Sequence, residues 1–203
     1  MKKNKISKNW INKQRRDIYV RKSQMDGYRA RSAYKLIEIN EKFKILKNGI
    51  SVIDLGAAPG SWSQYTAQIV KNVRLVSIDL KEMEKIENSI QIKGDFTEKK
   101  SQDKIKELFK SKVDVVLSDM AVNTTGIKNI DAISTGELCK EAMIFSKKIL
   151  SNEGKFVAKI FLGSSFNEIV QEAKTIFREV KVFKPKSSRK ESKESFIICK
   201  KLR

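Results

Sequence analysis

Short apolar runs alternate with amphipathic segments from residue 50 to the end of the chain. Runs rich in β-branched residues predict strands over residues 50–55, 73–80, 90–93, 113–117, 155–161, 179–183 and 195–200. Apolar residues three or four positions apart predict helices over residues 31–43, 61–70, 101–110, 135–150 and 165–177. Strands that alternate with helices form βαβ units, so we expect an α/β fold with a mainly parallel seven-stranded sheet. No helix separates the last two strands, which predicts an antiparallel C-terminal hairpin at the sheet edge.

Length and composition limit the classes of protein to which this chain can belong. Its 203 residues, 40% of them hydrophobic, predict one domain over residues 1–203, with a basic tail over residues 1–14 whose order the sequence leaves open. The chain has no histidine, which excludes a Ser-His-Asp triad and a His-ligated zinc site. Cys139 and Cys199 are too far apart in sequence for a CxxC pair. The sequence shows neither a membrane-spanning apolar run nor a secretory signal, so we expect a cytoplasmic protein without membrane contact.

The excess of positive charge is concentrated at the two ends of the chain. The formal net charge is +19, and Lys and Arg greatly outnumber Asp and Glu in residues 1–35 and 181–203, whereas the middle is close to neutral. One interpretation is a solvated basic tail. The other is a surface for a polyanion, in which cations bind phosphates and tyrosines stack on bases. The candidate RNA-binding residues are Arg29, Arg31, Lys186 and Arg189.

A loop of small residues follows the first predicted strand and leads into a helix. Such a loop lets the backbone approach a ligand closely, but Pro59 lacks the N–H that a pyrophosphate would accept. Asp79 ends the next strand, where a carboxylate accepts hydrogen bonds from ribose hydroxyls, and Asp95 follows the third strand. The pattern favours a nucleoside cofactor without a pyrophosphate. Its candidate ligands are Gly56, Ala57, Pro59, Gly60, Asp79 and Asp95.

The segment 54–64, Asp-Leu-Gly-Ala-Ala-Pro-Gly-Ser-Trp-Ser-Gln, closely resembles the first motif of the FtsJ/RrmJ family. The similarity continues through residues 31–36, 118–121, 156–161 and 184–189 and covers nearly the whole chain. It implies a Rossmann-like, S-adenosylmethionine-dependent methyltransferase that acts on ribose 2′-hydroxyls of RNA. The family's catalytic tetrad falls on Lys35, Asp119, Lys159 and Glu194, and Asp119 also joins the cofactor site. Trp62 is either a cofactor contact or a core residue.

The chemistry explains why the reaction needs residues of these types. A ribose hydroxyl is a poor nucleophile while protonated, and in a chain without histidine a lysine is the natural base. Lys159 lies within an apolar predicted strand, where a charge is costly unless it is paired. We therefore assign Lys159 as the acceptor-side base, oriented by Asp119. Lys35 positions the ribose or its phosphate, and Glu194 completes the network.

The resemblance also implies a substrate. Bacterial family members of this length methylate a uridine in large-subunit ribosomal RNA within the assembled subunit, and we expect a monomer. Two positions depart from the family pattern: Val122 replaces a proline, and Ser61 stands where glycine is common. Neither departure removes a tetrad side chain, so we expect them to affect the handling of the substrate more than the chemical step.

Three other functions remain open from the sequence. The same chemistry is compatible with transfer RNA or an mRNA cap as substrate, although no aromatic cap site is evident. A non-catalytic ribosome-assembly factor on the same scaffold is a second alternative, and the intact tetrad argues against it. An NAD-dependent oxidoreductase is a third, which Pro59 and the basic ends disfavour.

Overall fold

The computed structural model describes residues 17–121 and 128–203, with residues 128–132 described by their backbone alone. Its helices are α1 (Ile18–Met25), α2 (Ala33–Phe43), α3 (Ser61–Ile69), α4 (Lys99–Leu108), α5 (Lys128–Ile149) and α6 (Phe166–Ile176). Its strands are β1 (Ser51–Leu55), β2 (Arg74–Asp79), β3 (Ser89–Lys93), β4 (Val113–Ser118), β5 (Leu150–Phe161), β6 (Phe177–Phe183) and β7 (Glu194–Leu202). The predicted tail over residues 1–14 and the departure at Val122 lie outside the described residues.

The strands form one seven-stranded sheet in the order β3-β2-β1-β4-β5-β7-β6. Strands β1 to β5 pair in parallel, and β7 lies antiparallel between β5 and β6. The predicted α/β fold is therefore confirmed, including the antiparallel hairpin of β6 and β7. The hairpin places β6 at the edge and inserts β7 beside β5.

Alternating strand residues pack against helices on both faces of the sheet. On one face Ile53 and Phe156 join side chains of α4, α5 and α6 in a fully buried cluster. On the other face Val52 and Phe196 join side chains of α2 and α3. A parallel sheet needs this double cover because its strands are buried on both sides, which is why β1 and β4 read as nearly continuous apolar runs.

Two helices differ from the sequence prediction for identifiable reasons. Helix α1 was not predicted, because it is largely polar and its Ile18 and Met25 are exposed, so the apolar period of a buried helix is missing. Helix α5 starts before the predicted residue 135 and continues through Gly136. A Cβ at Gly136 would lie 2.8 Å from Ser165 Oγ, so the glycine permits close packing against the α6 region.

The register brings the chemistry-bearing residues to one edge of the sheet. Leu55 of β1 lies beside Ile78 of β2 and Ser118 of β4, and Ser118 lies beside Ala158 of β5. The chain therefore leaves β1, β2 and β4 at the same level. In open α/β sheets this carboxyl edge is where ligands bind.

Candidate active site

The loop after β1 is shaped by the close approach of Met120. Gly56 has a positive φ of 68°, and a Cβ built there would lie only 2.1 Å from Met120 Cγ. The Gly56 and Ala57 amides both donate to the Ile78 carbonyl of β2, at 2.9 and 3.1 Å. Glycine is thus required twice at position 56, by the backbone angle and by the space available.

A cavity of about 600 Å³ opens beside this loop at the carboxyl edge of the sheet. Its size is in the range typical of small-molecule sites. Carboxylates and a lysine form its polar wall: Asp79, Asp95, Asp119 and Lys159. Its apolar wall includes Ile78, Phe96, Met120 and Leu138, and Gly56 and Ala58 form part of its rim. Sequence reasoning missed the apolar wall, for which the only signal was that Phe96 and Met120 each follow a motif aspartate.

The two carboxylates predicted to bind a nucleoside both line this cavity. Asp79 Oδ2 accepts a hydrogen bond from the Ala58 amide at 2.9 Å, and Oδ1 accepts one from the Lys81 amide at 2.8 Å. Asp95 Oδ1 accepts from the amide and hydroxyl of Thr97 at 2.9 and 2.8 Å. These bonds fix the carboxylates in place, while one lone pair on each Asp79 oxygen and the Oδ2 oxygen of Asp95 stay available for ligand hydroxyls.

Gly56 and Asp119 also line this cavity, whereas the predicted ligands Ala57, Pro59, Gly60 and Trp62 are not part of its lining. The Gly60 amide donates to the Ala57 carbonyl at 2.6 Å, which closes the turn around Pro59. The indole of Trp62 is buried, donates to the Ser32 carbonyl at 2.8 Å and packs 5.6 Å from the Phe196 ring. The Trp62 side chain is therefore a core residue, and only its amide, in the first turn of α3, is placed for a ligand.

The Arg29 side chain has a structural role that the sequence did not indicate. Its guanidinium donates to the carbonyls of Pro59, Glu84 and Lys85 at 3.1, 2.8 and 2.9 Å. These bonds tie the loop after β1 to the segment between β2 and β3. Three of its N–H donors are thus engaged by protein carbonyls, and the predicted contact of Arg29 with RNA stays a prediction.

We expect the Gly56→Ala variant to bind the cofactor at least about tenfold more weakly, because the new Cβ displaces Met120 from the cavity wall. Gly49→Ala is a matched control, since Gly49 also has a positive φ, of 74°, but has no atom within 4 Å of an added Cβ. Titration calorimetry with S-adenosylmethionine measures both affinities. Equal losses in the two variants would show that backbone strain, not the Met120 contact, limits binding.

The four predicted tetrad residues meet beside the cavity, which Asp119 and Lys159 line. Lys159 is 8% exposed, and its Nζ lies 2.9 Å from Asp119 Oδ1 and donates to the Asp119 carbonyl at 2.6 Å. Lys35 Nζ lies 3.5 Å from Asp119 Oδ2 and 2.8 Å from Glu194 Oε2. Two lysines therefore share one carboxylate, and Glu194 is paired with Lys35. The residues come from α2, β5, β7 and the end of β4.

The electrostatics distinguish the two lysines. Burial lowers the pKa of Lys35, but the carboxylates of Asp119 and Glu194 outweigh it, and the net pKa lies above the ordinary lysine value. Burial raises the pKa of Asp119, but Lys159 and Lys35 outweigh it and hold the net pKa below the ordinary value. Lys35 is thus a permanent cation at neutral pH, and Asp119 a permanent anion. Lys159 has only one of the two carboxylates as its partner.

Glu194 is held by a loop that precedes β7. Ser188 Oγ donates to Glu194 Oε1 at 2.8 Å, which leaves Oε2 for Lys35. Glu38 of α2 accepts hydrogen bonds from the amides of Lys186 and Ser187 at 2.6 and 2.8 Å, and so fastens this loop to the helix that carries Lys35. Sequence reasoning named neither Ser188 nor Glu38 as a site residue. The partners of Glu38 lie 148 and 149 positions away in sequence, so local patterns gave no signal for it.

Asp54 is a buried carboxyl beneath the loop that the sequence interpretation also left unassigned. Its Oδ2 accepts from Ser63 Oγ at 2.6 Å, and that hydroxyl is 2.7 Å from Ser77 Oγ. Burial is the main cause that raises the pKa of Asp54, to about 7, with a smaller contribution from Asp119. The carboxyl is therefore largely protonated in mildly acidic solution.

We expect Asp54→Asn to remove a pH-dependent loss of stability. Because the pKa of Asp54 is higher in the folded than in the unfolded protein, its neutral carboxyl stabilises the fold fully below the unfolded pKa of about 4. This stabilisation, up to roughly 4 kcal/mol, is lost as the pH rises towards about 7. The amide is neutral throughout and still accepts from Ser63. Urea unfolding between about pH 4.5 and about pH 8 should show a decline in the free energy of unfolding in the wild type only. An equal decline in the variant would contradict the assignment.

Across residues 17–121 and 128–203, no helix is both long and apolar enough to cross a membrane. The same residues contain no cluster of three or more Cys, Asp or Glu arranged to bind a metal ion.

Comparison with known proteins places the chain in a family. Residues 28–202 match the model of the FtsJ-like methyltransferases. The chain is 80% identical over 203 residues, all of both chains, to the ribosomal RNA large subunit methyltransferase E of Pelagibacter ubique. It is 45% identical to the protein of that name from Rickettsia bellii, over 95% of this chain and 88% of the relative.

A solved structure agrees with this match. It is that of a Plasmodium falciparum protein described as a ribosomal RNA methyltransferase, which superposes with a TM-score of 0.78 at 33% identity. The alignment covers 86% of this chain and 98% of that one. With the sheet order, the cavity and the tetrad, these matches show that the chain belongs to the family of FtsJ-like methyltransferases.

Proposed function

We propose that this enzyme transfers a methyl group from S-adenosylmethionine to the 2′-hydroxyl of a uridine in large-subunit ribosomal RNA. The observation that carries the proposal is the pairing of Lys159 with Asp119 beside Lys35 and Glu194, at the end of a cavity suited to a nucleoside. The relatives' names support the RNA class, since both curated relatives are large-subunit ribosomal RNA methyltransferases.

The donor set in the cavity fits S-adenosylmethionine. Asp79 and Asp95 accept hydrogen bonds from ribose and base donors, Phe96 and Leu138 pack on a flat base, and the anionic Asp119 attracts a sulfonium cation. Pro59 in the loop after β1 has no N–H for a pyrophosphate, which disfavours NAD. When bound, the cofactor supplies an electrophilic methyl group.

Lys159 acts on the acceptor side as the base for the ribose hydroxyl. Its Nζ donates to the Asp119 carbonyl and forms an ion pair with Asp119 Oδ1, so Asp119 holds the ammonium group at the wall of the cavity. Lys159 takes the hydroxyl proton as the oxygen attacks in line. Lys35 nearby is positive, and it attracts the phosphate next to the acceptor ribose.

The substrate class is tested by methyl transfer to three RNAs. The purified protein and tritiated S-adenosylmethionine are incubated with large ribosomal subunits from a strain lacking the modification, with free large-subunit ribosomal RNA and with transfer RNA. We expect label in the large subunits and little in transfer RNA. Label in transfer RNA alone would move the substrate to the other RNA class. No label in any RNA, with S-adenosylmethionine bound, would favour the non-catalytic assembly factor. The predicted monomer and cytoplasmic location remain predictions.

A further inference from the structure

Two arginines outside the tetrad share a single carboxylate. Arg31, just before α2, donates through Nη1 to Asp17 Oδ2 and through Nη2 to the Ser187 carbonyl. Arg189 Nε lies 3.5 Å from the same Asp17 oxygen, beyond good hydrogen-bond geometry. Two guanidinium groups therefore face one aspartate, with side chains that are 15% and 31% exposed.

Several buried donors in this cluster have no hydrogen-bond partner in the part of the chain that the structure describes. They are Arg31 Nε, Arg189 Nε and the hydroxyl of Ser187, which is fully buried. Buried donors are normally satisfied, and an unsatisfied group points to a missing ligand. The donor set combines two guanidinium forks with a hydroxyl, which matches the oxygens of a phosphate.

The cluster is directly connected to the tetrad. Ser187 is followed by Ser188, whose hydroxyl binds Glu194, and Glu194 binds Lys35. Arg31 and Lys35 are also four residues apart, so they lie about one helical turn from each other. An anion at the arginine pair would lie beside the acceptor nucleotide.

We propose that Arg31 and Arg189 bind a phosphate of the substrate RNA, and that the Asp17 carboxylate occupies this phosphate site until RNA displaces it. The inference rests on the proposed function. It adds a phosphate-binding site and a carboxylate of the same chain that competes with phosphate for that site. Asp17 is suited to this exchange because it is the N-cap of the short helix α1. Its Oδ1 accepts a hydrogen bond from the Tyr19 amide at 3.1 Å. Carboxylate and phosphate oxygens compete for the same guanidinium donors.

The charge of Asp17 can be removed while its cap is kept. Asparagine is as good an N-cap as aspartate, so Asp17→Asn retains the bond to Tyr19 and loses the competing charge. Asp103→Asn on α4 is a matched control, because it makes the same charge change in an exposed pair with Lys106. Both variants and the wild type are titrated with fluorescein-labelled oligouridylate across a salt series.

We expect Asp17→Asn to bind the oligouridylate roughly twofold to fivefold more tightly than the wild type, and Asp103→Asn to change the affinity less. The slope of log affinity against log salt should steepen by up to about 0.7, one further single-strand phosphate contact. Affinity that is unchanged or weaker in Asp17→Asn would overturn the proposal, because Asp17 would then hold the arginines in place for RNA.

A second variant tests whether the gain passes through the arginines. In an Arg189→Gln background the gain from Asp17→Asn should shrink, since the two residues share one site. An undiminished gain would overturn the phosphate site. Methylation of large subunits by the wild type is measured in parallel: its absence refutes the proposed function, whereas normal methylation without the Asp17→Asn gain refutes this inference alone.

Discussion

Replacing Lys159 with methionine should lower the rate of methyl transfer by about a hundredfold to ten-thousandfold, the range for loss of a general base. Methionine keeps the length and apolar stem of the lysine but has no proton acceptor for the ribose hydroxyl. Asp119 keeps Lys35 as its partner at 3.5 Å, so the fold should persist. Single-turnover methylation of large subunits measures the rate, and calorimetry measures S-adenosylmethionine affinity, which should change little.

Lys155→Met provides the matched control for this substitution. Lys155 is on the same face of β5, four residues earlier, and donates to the carbonyls of Lys44 and Ile45 at 2.7 and 2.8 Å, remote from Asp119. Its loss should leave the rate of methyl transfer within about threefold of the wild type. If Lys159→Met retained more than about a tenth of the wild-type rate, Lys159 would not be the base.

Asp119→Asn should have the second large effect, because it damages both catalysis and folding. The carboxylate is the shared partner of Lys159 and Lys35, and its removal leaves two neighbouring buried ammonium groups without it. Breaking a buried ion pair from one side costs about 3–5 kcal/mol. We expect a similar loss in the free energy of unfolding, together with a loss of methyl transfer of at least about a hundredfold. Urea denaturation and single-turnover assays measure the two effects.

The pH dependence of the free energy of unfolding distinguishes loss of the Asp119 charge from loss of its other contacts. Because the folded pKa of Asp119 is depressed, its stabilisation is present above the unfolded pKa of about 3.9 and is lost as pH falls through the folded pKa. The difference in stability between wild type and Asp119→Asn should therefore shrink in acid. Asp114→Asn, at the start of the strand that precedes Asp119, is the control, since Asp114 Oδ2 accepts hydrogen bonds from the amide and hydroxyl of Ser51. A difference independent of pH would contradict the ion-pair account.

The position of the catalytic edge could be predicted from the sequence because it depends on local pattern. Asp79 and Asp119 each come at the end of an apolar strand, and parallel strands present their carboxyl ends at one edge. The small-residue loop at Gly56 was equally visible, since its spacing is local. These features need no knowledge of which helix packs on which strand.

Contacts between distant residues could not be predicted in this way. Lys35 meets Glu194 across 159 positions of sequence because α2 packs over the sheet face that includes β7. Without the family resemblance, Lys35 reads equally well as a surface residue. Arg29 shows the converse case: a cation in a basic segment suggests RNA binding, which stays a prediction, and the sequence did not indicate that its guanidinium donates to three carbonyls of the folded chain. The buried pairing of Asp54 with Ser63 also depends on the fold.

The measurement that tests the central claim most directly identifies the methylated atom. Large subunits from a strain lacking the modification are incubated with the protein and S-adenosylmethionine carrying a deuterated methyl group, and the ribosomal RNA is digested to nucleosides for mass spectrometry. The account predicts label in a single 2′-O-methyluridine, absent with Lys159→Met. Label on a base, or equal labelling by Lys159→Met, would contradict it.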